Sequence, residues 1–291
     1  MRARPVDLLR GWVQLQAAPE AWTWLEERLD ALAGEAGERD LYIVLGLIPR
    51  RLAKDDLELQ PDDLAAAQAA SDGWNPSGWS LDGAARVLAL LAFRSEGRPF
   101  AQTFKQLRRT ADARELIALY RGLPLYPERE SLEAEAGEGL RSNMRAVFEA
   151  IAHHNPFPRD VFDDHRWNHM VLKALFVGSR LDPIVGLDQR ANAELARIMR
   201  DYAHERWAAG RPVTPELWRC VGPFAVDGEA LADLARALDG PPVEREGAAL
   251  ALAASPAPEA RRLLHQAPDL EAAIAAGDLR WDRLSLQEPA A

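Results

Sequence analysis

Cysteine is all but absent from this chain of 291 residues. Cys220 stands alone, so neither an intrachain disulfide nor a cysteine-based zinc site can form. Lysine is nearly missing too, with three against 32 arginines, which reads as coding bias rather than a demand for guanidinium chemistry. Positive charge is scarce overall: the net charge of −10 argues against a duplex nucleic-acid binder, whose surface must be basic. No apolar run reaches the ~18 uncharged residues of a membrane span. Asp7 and Arg10 interrupt the N-terminus before a signal-peptide core can form. The expected compartment is therefore the cytoplasm. Sustained alternation of period two is lacking, so strands are not expected. There is also no glycine-rich phosphate loop, no Walker-type Gly-Lys-Ser/Thr and no Ser/His/Asp order.

What the chain does have is apolar content at helical spacing. Hydrophobic residues make up 48% and nine tryptophans supply bulky anchors, so disorder is excluded. Val6, Leu9 and Val13 repeat at i, i+3, i+7, as do Ala21, Trp24, Leu25, Leu29 and Leu32. Ala84, Val87, Leu88 and Leu91 form a further stripe, then Ala113, Leu116, Ile117 and Tyr120. Leu41–Leu52 contains Gly46 and Pro49 and is expected to bend or stop there. Breakers at 71–78, 122–127 and 155–158 separate the helices. From Asp227 onward short Ala/Leu helices follow: Glu229–Leu238, Val243–Ala254, Glu259–His265, Leu270–Ala275 and Leu279–Leu284. Paired short helices of this kind resemble HEAT-type repeats. The expected fold class is all-α: stacked antiparallel helices, α-solenoid-like, in one elongated domain over 1–291, with a sub-boundary near 222–228.

The segment from Ala150 to Arg219 draws attention first. It carries ten basic and nine acidic residues, a local charge of +1 in an acidic chain, and most of the histidines. Asp163 or Asp164 is the natural cap for a helix His165–Val177, with Gly178 as its stop. Apolar residues surround that cylinder nearly completely, which marks it as the most deeply buried helix. Its polar members Asn168, His169 and Lys173 must then meet partners, water or a ligand. A second helix is expected from a cap at Asp188 to about Ala209. One face of it presents Arg190, Glu194, Arg197, Asp201, His204 and Glu205, spaced for pairing of Glu194 with Arg197, Arg197 with Asp201, and Asp201 with His204. Arg206 falls in the apolar stripe and should reach a carboxylate or a pocket mouth. His165 and His169 could share a metal with Asp163, Asp164, Asp201 or His204. His165 sits in a first turn, however, and there is no His-Glu-x-x-His, so no metal and no cofactor is expected. Cys220 follows Arg219 but reads as a structural cysteine. The candidate ligand-binding set is Asn168, Lys173, Asp188, Arg190, Asp201, His204 and Arg206.

Several long stretches carry a resemblance. They are Asn155-Pro-Phe-Pro; Trp167-Asn168-His-Met-Val-Leu-Lys173-Ala-Leu-Phe; Gly186-Leu-Asp-Gln-Arg190-Ala-Asn192; Asp201-Tyr-Ala-His-Glu-Arg-Trp; and Pro215-Glu-Leu-Trp218-Arg. With Ile117–Pro127 and Gly139–Glu149 upstream, they resemble the EboA family of metabolite-traffic proteins over nearly the whole chain. The resemblance implies a component of a bacterial gene cluster that moves secondary-metabolite precursors towards the periplasm or membrane. The implied partners are other proteins of the ebo cluster and a small-molecule metabolite, and no catalytic residues carry over. The expected role is a non-catalytic adaptor or carrier that supports export. Two alternatives stand beside it. One is an enzyme acting on a small, isoprenoid-related precursor, with His204 as acid/base, Asp201 orienting it, and Lys173 or Arg206 holding an anionic group. The other is a pure protein-interaction scaffold.

Overall fold

A computed structural model describes residues 3–34, 36–94 and 97–284. Among the described residues the chain is all α-helical, with seventeen α-helices, four short 3-10 turns and no strand. The packing resolves into two units, one ending at Phe162 and the other starting at Asp163. Residues 222–228 lie inside the second.

The first unit contains α1 (Pro5–Gln16), α2 (Pro19–Ala33), α3 (Glu38–Arg51), α4 (Pro61–Ala70) and α5 (Leu81–Ala92). It continues with α6 (Phe100–Thr110), α7 (Ala113–Arg121), α8 (Glu133–Leu140), α9 (Arg145–Ala152) and α10 (Phe157–Val161). Its hub is α5, against which α1, α2, α3 and α7 all pack. The sequence Leu81-Asp-Gly-Ala-Ala-Arg-Val-Leu-Ala-Leu-Leu-Ala explains why. Small residues between the leucines let four helices approach, and Leu81–Leu90 is buried except at Gly83. Pro49 does not end α3, which continues to Arg51. The proline lies within the last turn, where it removes one N–H and little else.

Two reversals shape the region around α5. The stretch before it runs antiparallel to the stretch that ends α3: Leu57 N–H donates to Trp79 O at 2.7 Å, and Leu81 N–H to Asp55 O at 2.9 Å. Between them, Trp74 packs on Trp12 and Trp79 with ring centroids 5.9 and 6.2 Å apart. This anchors the polar loop 71–80 on an aromatic base.

The second unit contains α11 (Asp164–Phe176), α12 (Ala193–Ala208), α13 (Leu217–Val221), α14 (Gly228–Leu238), α15 (Pro242–Ala254), α16 (Pro258–Leu264) and α17 (Pro268–Ala276). The four helices from α14 onward match the expected ones to within two residues at each end. Helix α15 packs against α13, α14, α16 and α17. Gly247 on α15 makes this possible: a Cβ there would lie 2.7 Å from Pro215 O, a backbone approach that only glycine permits.

Helix α11 begins at Asp164, capped by Asp163, whose Oδ1 accepts from Arg166 N–H at 2.7 Å. It stops at Phe176. Gly178 takes φ of +68° and Ser179 N–H returns to Ala174 O at 2.8 Å, the 6→1 bond of a Schellman stop. It is not the most enclosed helix. Trp167, Asn168, Met170, Val171, Ala174 and Leu175 are buried, whereas His165, His169 and Phe176 form an exposed edge. The all-round apolar reading fails because Phe176, 63% exposed, settles its ring edge-on to Tyr202 at 4.9 Å instead of entering the core. The more enclosed helix is α5.

Candidate functional site

The polar residues expected to gather around α11 are held by several different partners. Asn168, 3% exposed, exchanges two hydrogen bonds with Asn192: Nδ2 to Oδ1 at 3.2 Å in one direction and 2.9 Å in the other. Asn192, not Asp188, caps α12; its Oδ1 accepts from Leu195 N–H at 2.8 Å. It also donates to Arg190 O at 3.1 Å, so Asn168 and Arg190 are brought together. The Arg190 guanidinium meets Asp164 at 2.6 Å and lies 4.9 Å from the Trp167 ring centroid. Asp188 belongs to another group. Arg219 grips it with two bonds of 2.7 Å and reaches Asp182 at 2.8 Å with its third nitrogen. Those carboxylates hold the guanidinium above the ordinary arginine pKa despite its burial. Lys173 is half-buried, and desolvation lowers its ammonium pKa.

Along α12, Arg197 pairs with Glu194 at 2.7 Å and with Asp201 at 2.6 Å, a solvated ladder worth little stability. Asp201 does not orient His204. That carboxylate is Asp233, 2.7 Å from His204 Nε2, and it also accepts from Arg200. The imidazole stacks on Trp207, which also meets Trp218 and the Arg236 guanidinium 4.1 Å from its centroid. Arg206 meets no carboxylate among the described residues; its Nε donates to Pro212 O at 3.0 Å, closing the chain after α12. The His165 and His169 rings lie 4.4 Å apart, tilted by 55°, on the open edge of α11. No third metal-ligating side chain joins them among the described residues. Cys220 is buried, which pushes its thiol up to about 12 in spite of Arg219, an inert state at neutral pH.

The first unit holds two adjoining cavities that share the walls Trp79, Ile117 and Arg121. The smaller, about 170 Å³, lies between loop 71–80 and the end of α9 and includes Asn75, Ser77, Glu149, His153 and His154. Its floor is fixed by buried Asn155, which donates to Tyr120 O and Ala150 O at 3.1 and 3.0 Å and accepts from Phe157 N–H at 3.0 Å. That clamp is the physical content of the Asn155-Pro-Phe-Pro motif. His154 just before it is held at φ +54°, a left-handed conformation that costs a non-glycine residue energy. Asn75 N–H holds its carbonyl at 3.3 Å.

The larger cavity, about 270 Å³, opens between the 53–57 and 78–83 stretches and α7. Lys54, Arg86, Arg114 and Arg121 line it, with Asp56 as the one carboxylate in its wall. Arg86 is 5% exposed and pairs with buried Asp82 at 2.8 Å, one turn back along α5. Arg121, the last residue of α7, donates from Nη1 to Gly78 O at 2.6 Å, tying α7 to the loop. Burial lowers its pKa from the usual arginine value, and Asp56 only partly opposes this.

The family model for the metabolite traffic protein EboA matches residues 5–222. The chain belongs to the EboA family. No curated protein and no solved structure matches it. The EboA match spans both cavities and the whole central segment, and stops before α14. It also takes in the motifs quoted above, whose structural work is now visible: the Asn155 clamp, the Asn168–Asn192 pair and the Arg219 grip on Asp188. Among the described residues of this EboA-family chain no helix is long and apolar enough to cross a membrane.

Sequence reasoning passed over the charged residues of the cavity walls. Arg86 did leave a signal: with Asp82 it forms an i, i+4 pair of opposite charges in an otherwise uncharged helix. Arg121 left none, since a basic residue in the last turn of a helix is ordinary.

Proposed function

We propose that this EboA-family chain is a non-catalytic carrier or adaptor, working in the cytoplasm. It binds a small metabolite in the paired cavities of its first unit and passes it to other proteins of the ebo cluster, in support of export. The observation that carries this reading is the shared wall. Trp79 and Ile117 offer apolar surface while Arg121 offers charge, and the cavities on either side suit the two ends of one small molecule. Concave sites with apolar walls and a few convergent polar groups are where small ligands bind. In this reading Asn168, Asp188, Arg190 and Arg206 brace the second unit, and His204 with Asp233 secures α12 to α14.

The test is native mass spectrometry of the protein purified from its own host, beside an Ile117→Trp variant that fills the shared wall. A small molecule should accompany the wild type and be lost from a variant of unchanged melting temperature. Ligand-free wild type, together with undiminished export by the filled variant, would end the carrier reading.

A further inference from the structure

We propose that the larger cavity of the first unit contains an oxyanion subsite, in which Arg121 and the Nε–H of Arg86 receive a phosphate or carboxylate group. The inference deepens the carrier reading by giving the chemical class of one end of the ligand, and in that respect rests on it.

Charge comes first. In a chain of net charge −10, this one cavity is walled by four cations and one carboxylate. Arg86 is neutralised by Asp82, so the excess comes from Lys54, Arg114 and Arg121 against Asp56. None of those three makes an ion pair among the described residues, although Arg pairs with Asp or Glu in many other places in this chain. A cavity of one sign with low-dielectric walls concentrates the opposite ion.

Donor accounting comes second. The Arg86 guanidinium sends Nη1 to Asp82 at 2.8 Å, and its Nη2 stands 4.0 Å from Glu115. Its Nε–H is buried and has no acceptor among the described residues. A guanidinium carries five N–H donors and no acceptor, and a buried donor left without a partner is a standing cost. Arg121 sends one nitrogen to Gly78 O and has the rest of its fork to offer. Only an acceptor can satisfy these groups, and oxyanions match the planar fork better than any neutral acceptor.

The backbone does not compete for that role. The N-terminus of α5 also borders the cavity through Ser80 and Gly83, but its first N–H groups are already bonded: Leu81 to Asp55 O, Asp82 to Ala53 O, and Gly83 to Ser80 Oγ. Its dipole adds to the positive potential, while the donors themselves must be side chains. An alternative role for Arg121 is purely structural, as the cation that closes α7 and holds loop 71–80. The experiment separates the two.

The full chain is titrated with inorganic phosphate and, in a second arm, with acetate, both at constant ionic strength. The readout is the ¹⁵N–¹H signal of arginine Nε groups. At millimolar phosphate the Arg86 Nε–H signal should shift, and Arg121→Gln should weaken binding about tenfold or more, the loss expected for one charge-assisted hydrogen bond. Arg141→Gln, a change on the open surface, should leave it unchanged. Arg86 itself is left intact, because its removal would strand buried Asp82. Phosphate binding well above acetate assigns a phosphoryl group, and comparable binding of acetate assigns a carboxylate. No shift with either anion, or equal shifts in wild type and Arg121→Gln, overturns the subsite. Arg121-dependent phosphate binding without any co-purified metabolite, and with undiminished export by Ile117→Trp, would leave the subsite standing and remove the carrier reading. A co-purified metabolite held equally by Arg121→Gln would do the reverse.

Discussion

Replacing Gly247 by alanine tests how closely α15 must approach its neighbours. The added methyl would lie 2.7 Å from Pro215 O, 2.8 Å from Pro215 Cβ and 3.1 Å from Pro215 C. Those separations are roughly 0.4–1.3 Å shorter than the ~3.5–4.0 Å optimum for such contacts. Pro215 is a poor candidate to retreat: Glu216 beside it is buried, and its Oε2 is bonded at 2.6 Å to Leu181 N–H. The strain therefore falls on packing, at about 1–3 kcal/mol. Alanine's better helix propensity returns ~1 kcal/mol of this. The net expectation is a loss of up to roughly 2 kcal/mol. Gly46→Ala is the matching control, since Gly46 is exposed on α3 and nothing lies within 4 Å of its added methyl. There only the propensity gain remains, so the variant should be ~0.5–1 kcal/mol more stable. Urea unfolding followed by circular dichroism reads both, taking the transition of each unit separately if they part. A Gly247→Ala protein stabilised as much as Gly46→Ala would refute the claim that α15 and the 215–216 backbone are in contact.

Asn168→Ala should cost about 1–3 kcal/mol, because it leaves the half-buried Asn192 amide beside a missing partner. Adding Asn192→Ala should cost less than the sum of the two single losses in a double-mutant cycle by denaturant. Glu216→Ala should cost about 2–3 kcal/mol and speed hydrogen exchange at the Leu181 amide, whose carboxylate acceptor it deletes. Glu244 is held above its ordinary carboxylate pKa, chiefly by burial, with the Trp207 N–H opposing. A raised folded-state pKa favours the fold while the group is protonated, and that contribution is lost as pH rises through the folded value. Glu244→Gln should therefore match wild type in stability below about pH 4.5 and exceed it above the raised pKa. A constant difference across that range would show that Glu244 ionises as freely folded as unfolded.

Period and capping made the helices legible. The Ala/Leu spacing after Asp227 marked α14 to α17, and Asp163 and Gly178 bounded α11 closely. Burial was less legible, because an apolar stripe shows what a helix could bury and not what stands opposite it. Phe176 completes the apolar ring of α11 on paper, yet its ring stays exposed, edge-on to Tyr202. The same limit applies to polar residues. A polar residue on a buried helix must find a partner, and Asn168 found its own kind at Asn192, 24 residues on, which no local spacing announces. Applied to α5, that rule would have pointed elsewhere. Asp82 and Arg86 are the only charges on that helix, and their neutral pairing at i, i+4 disguises the donor left over at Arg86 Nε. Arg121 is harder still. It is ordinary on its own helix and becomes unusual only when Gly78, Trp79 and Lys54 are folded beside it. A cavity belongs to no single element, so its chemistry is written in residues that are each unremarkable until they are brought together. In this chain the most distinctive motifs make the braces, and the least distinctive arginine stands where the two cavities meet.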